Sequence, residues 1–265
     1  MTQIIKISIL VCLLVLLCFV IIAPIIIFIQ EFREAKKSHE PRTITPDNNS
    51  DGEANEYNNE LEHINSKYYI HHDFYNLKSQ GSLHIISYFL TYQQTTEYTC
   101  GGAVAMMVLH YYDDFRYDEL EISKMVKTDI DKGTSPENLA LFFMGIGYEV
   151  ESHTDTVPKF ETIEDFQKYL IMMIDNKVPV MVDWTDWGGH WQVIIGIDTC
   201  DTDDPYDDVL IMADPYDVTD HNKDGYFVVP FGRFFYMWRE GFCAHKSNPY
   251  EQPFVVAKIK KEVQL

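Results

Sequence analysis

Gln93-Gln94-Thr95-Thr96-Glu97-Tyr98-Thr99-Cys100-Gly101-Gly102-Ala103-Val104-Ala105-Met106-Met107-Val108-Leu109-His110-Tyr111-Tyr112 passes from a polar loop into an apolar helix, and the crossing falls at Cys100. Val104, Met107, Val108 and Tyr111 recur at helical spacing, which predicts a helix over 101–112. A thiol at a helix N-terminus faces the positive end of the helix dipole, and that field favours the thiolate nucleophile. Gly101 and Gly102 are expected to leave the space beside the sulfur open to a substrate carbonyl. A buried structural cysteine at a glycine-rich turn would read the same way, so the segment needs partners before it carries chemistry.

Downstream of that helix come two more. Thr134-Ser135-Pro136-Glu137 is a helix start, with Thr134 as the expected cap, an early proline and Glu137 three residues on. The helix runs through Leu139, Phe142 and Phe143 and stops at Gly145 or Gly147. Thr162 caps another, with Ile163, Phe166, Leu170 and Ile174 on one stripe. Short apolar runs bounded by Gly, Asp and Pro then predict strands over 179–184, 191–197, 209–213, 226–229 and 254–259. Helices followed by consecutive strands give an α+β fold, with a helical layer packed on an antiparallel sheet.

Two of those strands end in catalytic residue types. Gly188-Gly189-His190-Trp191-Gln192-Val193-Ile194-Ile195-Gly196 puts a histidine at the mouth of an apolar strand, where the ring is held rigidly yet stays at the edge of a cleft. Val209-Leu210-Ile211-Met212-Ala213 runs into Asp214-Pro215. A carboxylate at the end of the neighbouring strand can accept the second ring N–H and fix the tautomer. Each feature is weak alone. Cysteine at a helix start, then His and Asp at strand ends, is the ordered set that nucleophilic catalysis requires.

With these residues in place the sequence resembles the papain-fold cysteine peptidases related to the bacteriocin-leader (double-glycine) peptidases. Their pattern is Gln, about five residues, Cys-Gly-x-Ala, then Gly-Thr-Ser, Gly-His with a glycine six positions later, and Asp-Pro. This chain has Gln94, Cys100-Gly101-Gly102-Ala103, Gly133-Thr134-Ser135-Pro136, Gly189-His190 with Gly196, and Asp214-Pro215. The resemblance implies a papain-like fold, with Cys100 as nucleophile, His190 as general acid/base, Asp214 as its orienter and Gln94 as oxyanion-hole donor beside the Cys100 backbone N–H. Gln93 is the alternative donor, and the family's spacing favours Gln94. Thr99 and Gly102 stand where the family usually has Asp and Pro. Nothing in the chain resembles a phosphate-binding glycine-rich loop with Lys, so processing within an ATP-driven exporter is not implied.

Upstream, the uncharged run from Ile7 to Ile29 is long enough, at ~1.5 Å per residue, to cross ~30 Å of hydrocarbon. It is longer than the ~7–15 residues of a signal-peptide core and has no small-residue exit. One N-terminal transmembrane helix is expected, within an anchor of residues 1–37; Cys12 and Cys18 are apolar filler inside it. Residues 38–66, with Pro41, Pro46 and Asp47-Asn48-Asn49-Ser50-Asp51-Gly52-Glu53, read as a flexible linker, and 67–265 as the peptidase domain. Arg33, Lys36 and Lys37 after the span slightly outweigh Lys6 before it, but the long tether suits surface display. An extracytoplasmic domain is the expectation.

Composition narrows the partners. With 21 Lys and Arg against 41 Asp and Glu the formal charge is -20, a surface that repels phosphate backbones and argues against nucleic acid. The partners expected are a peptide or protein substrate and the membrane. Cys12, Cys18, Cys100, Cys200 and Cys243 show no paired C-x-x-C spacing, and His71 and His72 have no Cys or His partners at zinc-ligand spacing. Neither a metal nor another cofactor is called for. Asp220-His221-Asn222-Lys223-Asp224-Gly225 begins like a calcium loop, but Phe231 holds the position of the bidentate Glu, so it reads as a polar turn. Cys200 and Cys243 could pair in an oxidising compartment. Trp184, Trp187 and Trp191 either wall a groove or fill the core; His110 is a mid-helix packing residue; Asp183 and Asp186 sit too close in sequence to reach the far side of the ring. The same triad would serve hydrolysis or acyl transfer to an amine or thiol. A catalytically silent peptide-binding protein would have no chemical need for all four residues.

Overall fold

The computed structural model describes residues 72–185, 189–217, 224–238 and 250–260. The run Ile7–Ile29, the linker 38–66, Asp186, Trp187, Asp220, Asn222 and Cys243 lie outside them. No helix among the described residues is long and apolar enough to cross a membrane.

In chain order the elements are β1 (Leu83–Ile85), α1 (Cys100–Tyr111), α2 (Glu119–Met125), α3 (Pro136–Gly145), β2 (Glu149–His153), α4 (Ile163–Asp175), β3 (Val180–Trp184), β4 (His190–Asp198), β5 (Val209–Ala213), β6 (Tyr226–Pro230), α5 (Phe231–Met237) and β7 (Phe254–Lys258). The strands form one sheet in the order β2-β7-β3-β4-β5-β6, with β1 paired to β4. Every pairing is antiparallel. The strand β4 organises it: residues 190–194 pair with β3, residues 196–198 with β1, and both stretches pair with β5.

A register shift between Ile194 and Gly196 interrupts the β4–β5 ladder. The extra residue, Ile195, turns into the same core cluster as Val193, Ile85 and Ile211. A Cβ at position 196 would lie 2.9 Å from the His84 carbonyl oxygen, 3.1 Å from Ile85 and 3.2 Å from Ile211. Glycine is what lets β1 close over the bulge.

Both faces of the sheet are covered. One core joins α1, α2 and α3 to Met181, Trp191, Val193, Ala213 and Val255. The other joins α4 and α5 to Val180, Val182, Ile194, Met212 and Phe254. Helices therefore pack on both faces of the antiparallel sheet. Runs such as Val180-Met181-Val182 do not alternate apolar with polar, because strands with two buried faces do not need to.

Helix α1 is buried from Cys100 through Leu109, so its face to the sheet and its back are both core. It ends where Asp113 takes φ of 60°, the left-handed conformation that commonly terminates a helix. At α3 the expected cap is displaced by one residue. Ser135, not Thr134, accepts from the Asn138 N–H at 3.3 Å. Thr162 caps α4 by accepting from the Asp165 N–H at 3.2 Å. In the second core Phe166 and Trp238 rings lie 4.5 Å apart and Trp184 and Phe234 5.0 Å apart. Burial of each such ring stabilises by roughly 1.5–3 kcal/mol and makes a rigid floor under the end of β3.

Candidate active site

Cys100 is the first residue of α1 and is only 7 % exposed. Its helix start carries no side-chain cap, since Thr99 makes no capping hydrogen bond. First-turn N–H groups have no partner inside a helix, so an uncapped start presents donors and the positive dipole end to an incoming anion.

The two glycines after it serve a purpose other than the open space expected of them. A Cβ at Gly101 would sit 2.5 Å from Thr134 Cβ and 2.6 Å from Thr134 Oγ1. At Gly102 it would sit 2.2 Å from Ser123 Oγ and 2.9 Å from the Glu119 carbonyl oxygen. The glycines are there so that the helix can dock against Thr134 on one side and α2 on the other. Thr134 is itself fixed, its hydroxyl 2.6 Å from that of Thr128 and its carbonyl accepting from Trp191 Nε1 at 2.9 Å. The Gly133-Thr134-Ser135 segment thus seats the helix that begins at Cys100.

His190 opens β4 opposite Trp184 and is 7 % exposed. Its Nε2 lies 2.6 Å from Asp214 Oδ1, and the Cys100 side chain acts on the same ring in favour of its charged form. With Nε2 committed to Asp214, Nδ1 is the atom left for the sulfur. Burial disfavours the charged ring, but the charge and hydrogen bond of Asp214, then those of Cys100, outweigh it. The His190 pKa is held well above its ordinary value.

Asp214, 2 % exposed, follows the last residue of β5. Burial pushes its pKa up, while His190, the Tyr216 N–H at 2.8 Å and Gln192 on the adjacent strand prevail and bring it below the ordinary carboxylate range. Gln192 is oriented by Trp184, whose Nε1 donates to its Oε1 at 2.6 Å. The backbone N–H of Asp214 donates to the Gly225 carbonyl at 2.8 Å, tying the carboxylate to the start of β6.

Gln94 is buried, whereas Gln93 is half-buried. The Gln94 backbone N–H donates to the Pro215 carbonyl at 2.7 Å, which ties the loop before Cys100 to the segment after Asp214. Its side-chain Nε2 donates to the Thr96 carbonyl at 2.7 Å, and an amide nitrogen has a second N–H. Tyr216, whose ring meets His190 edge-on, donates to Glu97 at 2.9 Å and makes a second tie between the same two segments.

Several residues take places the sequence left open. Trp184 and Trp191 are core, fully buried on opposite faces of the sheet. His110 packs between Tyr92 and Phe115. Cys200 is an exposed free thiol. Among the described residues, no group of three or more His, Cys, Asp or Glu is placed to hold a metal.

Three polar residues are more deeply buried than the sequence indicates: Asp183, set aside as an orienter for its place in the chain, and Gln192 and Glu119, which sequence reading does not single out. Asp183 is buried in β3; burial, opposed by His190, leaves its pKa pushed up to about 7. Its neighbours in sequence are apolar, and that alone could have marked it as an interior carboxyl. Gln192 has the same signal inside Trp191-Gln192-Val193. Glu119 is fully buried and accepts from Thr95 N–H at 2.8 Å and Thr95 Oγ1 at 2.5 Å. Nothing in Asp118-Glu119-Leu120-Glu121 separates it from a solvated helix start.

The family model described as papain-like cysteine protease AvrRpt2 matches residues 84–224, a span that contains Gln94, Cys100, His190 and Asp214. Among solved structures, the chain is similar to the crystal structure of the peptidase domain of Streptococcus ComA, a bi-functional ABC transporter involved in a quorum-sensing pathway. The two are 19 % identical with a TM-score of 0.41, over 63 % of this chain and 96 % of that one. No curated protein matches.

Proposed function

The chain belongs to the family of papain-like cysteine protease AvrRpt2 and is a cysteine peptidase, and from that premise we propose that it cuts peptide bonds through a Cys100–His190–Asp214 triad. The observation that carries this reading is His190 itself, buried between Asp214 at Nε2 and Cys100. A ring held positive there stands beside the sulfur with a proton to give to the leaving amine.

The chemistry follows from the placement. The Cys100 thiolate attacks the peptide carbonyl carbon, a C–S bond forms, and the carbonyl electron pair moves onto oxygen. The free Gln94 amide N–H and the Cys100 backbone N–H stabilise that oxyanion. The oxyanion collapses, the C–N bond breaks, and the His190 Nδ1 proton passes to the leaving amine. Neutral Nδ1 then takes a proton from water as its oxygen attacks the thioester. The C–S bond breaks, the acid product leaves, and the thiolate–imidazolium pair is restored. Throughout, the Nε2 proton stays on the ring, held toward Asp214.

A membrane anchor belongs to the same proposal. The uncharged run Ile7–Ile29 would hold the enzyme to a bilayer, and residues 38–66 would let the peptidase domain stand clear of it on the extracytoplasmic side. Fractionation and protease accessibility in intact cells test this; a chain recovered in the soluble fraction, or a domain protected from external protease, would reverse it.

The triad is tested by kinetics on a peptide library. Cys100→Ala and His190→Ala should each abolish turnover, and the double variant should be no worse than either, because the pair acts as one unit. Turnover by Cys100→Ala at the wild-type rate would remove the nucleophile.

A further inference from the structure

Glu119 has no part in the bond-breaking sequence, yet it is fully buried and bonded to the loop that leads into Cys100. Its carboxylate receives the Thr95 N–H at 2.8 Å on Oε1 and 3.1 Å on Oε2, and Thr95 Oγ1–H at 2.5 Å on Oε2. Burial prevails over these bonds and holds the Glu119 pKa above its ordinary value, while the Thr99 hydroxyl donates to the Thr96 carbonyl at 3.3 Å. Thr95 is the residue after Gln94, and Thr99 is the residue before Cys100. Between them the loop is closed on itself: Thr99 Oγ1 accepts from the Thr96 N–H at 3.1 Å and from Thr96 Oγ1 at 3.0 Å. From the other side, the Glu119 backbone lies against the first turn of α1, since a Cβ on Gly102 would meet its carbonyl oxygen at 2.9 Å.

A buried carboxylate is costly unless donors surround it, and hydrogen bonds to a charged acceptor are stronger than neutral ones. Placed at this point, such an acceptor fixes the two backbone positions that flank the oxyanion site. We propose that Glu119 is the positioning residue of the oxyanion loop, holding Thr95 through its carboxyl group and the first turn of α1 through its backbone, so that the Gln94 amide and the Cys100 N–H converge on the same point. The inference rests on the assignment of Cys100 and Gln94 made above. It adds a residue that acts through others and touches no substrate.

The shape of glutamine makes the test specific. In Glu119→Gln the amide oxygen can still accept from the Thr95 N–H, but the NH₂ group then faces Thr95 Oγ1, whose hydroxyl must turn and accept. The second contact of the Thr95 N–H is lost, the remaining bonds are neutral and weaker, and the loop is free to shift. The thiolate–imidazolium pair sits on α1 and β4 and is untouched. Three measurements on the full-length chain separate these effects. Iodoacetamide alkylation of Cys100, followed by peptide mapping, reads the thiolate. A peptidyl aldehyde, to whose carbonyl the thiolate adds to give a hemithioacetal with its oxygen in the oxyanion site, reads the hole. Turnover of the best-cut member of a peptide library reads both.

Glu119→Gln is expected to alkylate within about 2-fold of wild type. Removing an oxyanion donor outright costs ~10²–10³-fold, so a displaced donor is expected to lower aldehyde affinity and kcat by about 10- to 100-fold with KM little changed. Thr95→Val, which removes only the hydroxyl donor, is expected to give a smaller loss of the same kind, and decides the matter if Glu119→Gln fails to fold. Unchanged aldehyde affinity in a folded variant would overturn the proposal. So would alkylation falling in step with turnover, which would mark Glu119 as general scaffolding. A wild type that alkylates at Cys100 but cuts no peptide would refute the peptidase reading instead, and the aldehyde comparison would still decide the role of Glu119.

Discussion

Replacing Gly102 by alanine places a methyl group where α1, the helix that begins at Cys100, meets α2. The new Cβ would stand 2.2 Å from Ser123 Oγ, 3.4 Å from Ser123 Cβ and 2.9 Å from the Glu119 carbonyl oxygen. The serine can move only a little, because the site is buried, and the backbone oxygen cannot move without α2. Overpacking of a tight core costs ~1–3 kcal/mol. Alanine regains up to ~1 kcal/mol of helix propensity over glycine. A net loss of ~1–2 kcal/mol is expected, or a fall in Tm of roughly 2–8 °C at the ~2–4 °C per kcal/mol usual for a domain of this size. The helix start carrying Cys100 must retreat by a few tenths of an ångström, and since a ~1 Å error can cost ~10²-fold in rate, kcat should drop about 10-fold. Ser123→Ala supplies the control. Its hydroxyl has no hydrogen-bond partner among the described residues, so the single change should be nearly neutral. Combined with Gly102→Ala it should recover part of the loss and leave the part due to Glu119. Calorimetry with parallel turnover measurements checks both. A Gly102→Ala variant as stable and active as wild type would refute the packing account, as would a double variant with no recovery.

Asp214→Asn should keep the fold and lower kcat by about 10²- to 10⁴-fold, measured on the same peptide substrate, because His190 loses the acceptor that fixes its tautomer. The His190–Asp214 pair also makes stability depend on pH. His190 is raised, so its contribution is complete below about 6.5 and fades as pH climbs through its folded value; Asp214 is lowered, so its contribution is complete above about 4 and fades as pH falls further. Thermal denaturation should therefore show the largest gap between wild type and Asp214→Asn from about pH 4 to 6.5. Asp183 works in one direction only: its pKa is raised to about 7, so stability is lost as pH climbs from about 4 through 7, and Asp183→Asn should flatten that slope in the same melts. Cys200→Ala should leave turnover unchanged. In wild type at neutral pH Cys200 should alkylate more slowly than Cys100, since slight burial and then Asp198, Asp208, Asp207 and Asp201 raise its thiol pKa; peptide mapping after a timed pulse checks this.

Much of this arrangement could be read from local pattern. The expected strand 209–213 is β5 to the residue, and the helix expected from Gly101 begins one residue earlier, at Cys100 itself. His190 and Asp214 stood out because each interrupts the edge of an apolar run, and the antiparallel β4–β5 pairing brings those two strand ends together. What could not be read depends on distant chain. Leu83–Ile85 is too short to show a period and is a strand only because the β4 bulge accepts it. Glu149–His153 is an edge strand with mixed polarity, defined by pairing to β7. Phe231–Met237 looks like the tail of a strand and becomes a helix that covers the second face. Thr134 and Ser135 are chemically equivalent as caps. Only the docking of Gly101 against Thr134 assigns the cap to Ser135. Glu119 is the extreme case, a charged residue in a charged stretch whose burial is decided by a loop more than twenty residues earlier.

One measurement bears most directly on the assignment of Cys100 as the nucleophile. The full-length enzyme is mixed with a peptide ester, quenched in acid within the first turnover, digested and mapped by mass spectrometry. Attack by the Cys100 sulfur predicts an acyl group in thioester linkage on the peptide containing Cys100, lost on treatment with hydroxylamine and absent from Cys100→Ala. Acylation of a different residue, or steady hydrolysis of the ester by Cys100→Ala at the wild-type rate, would contradict it.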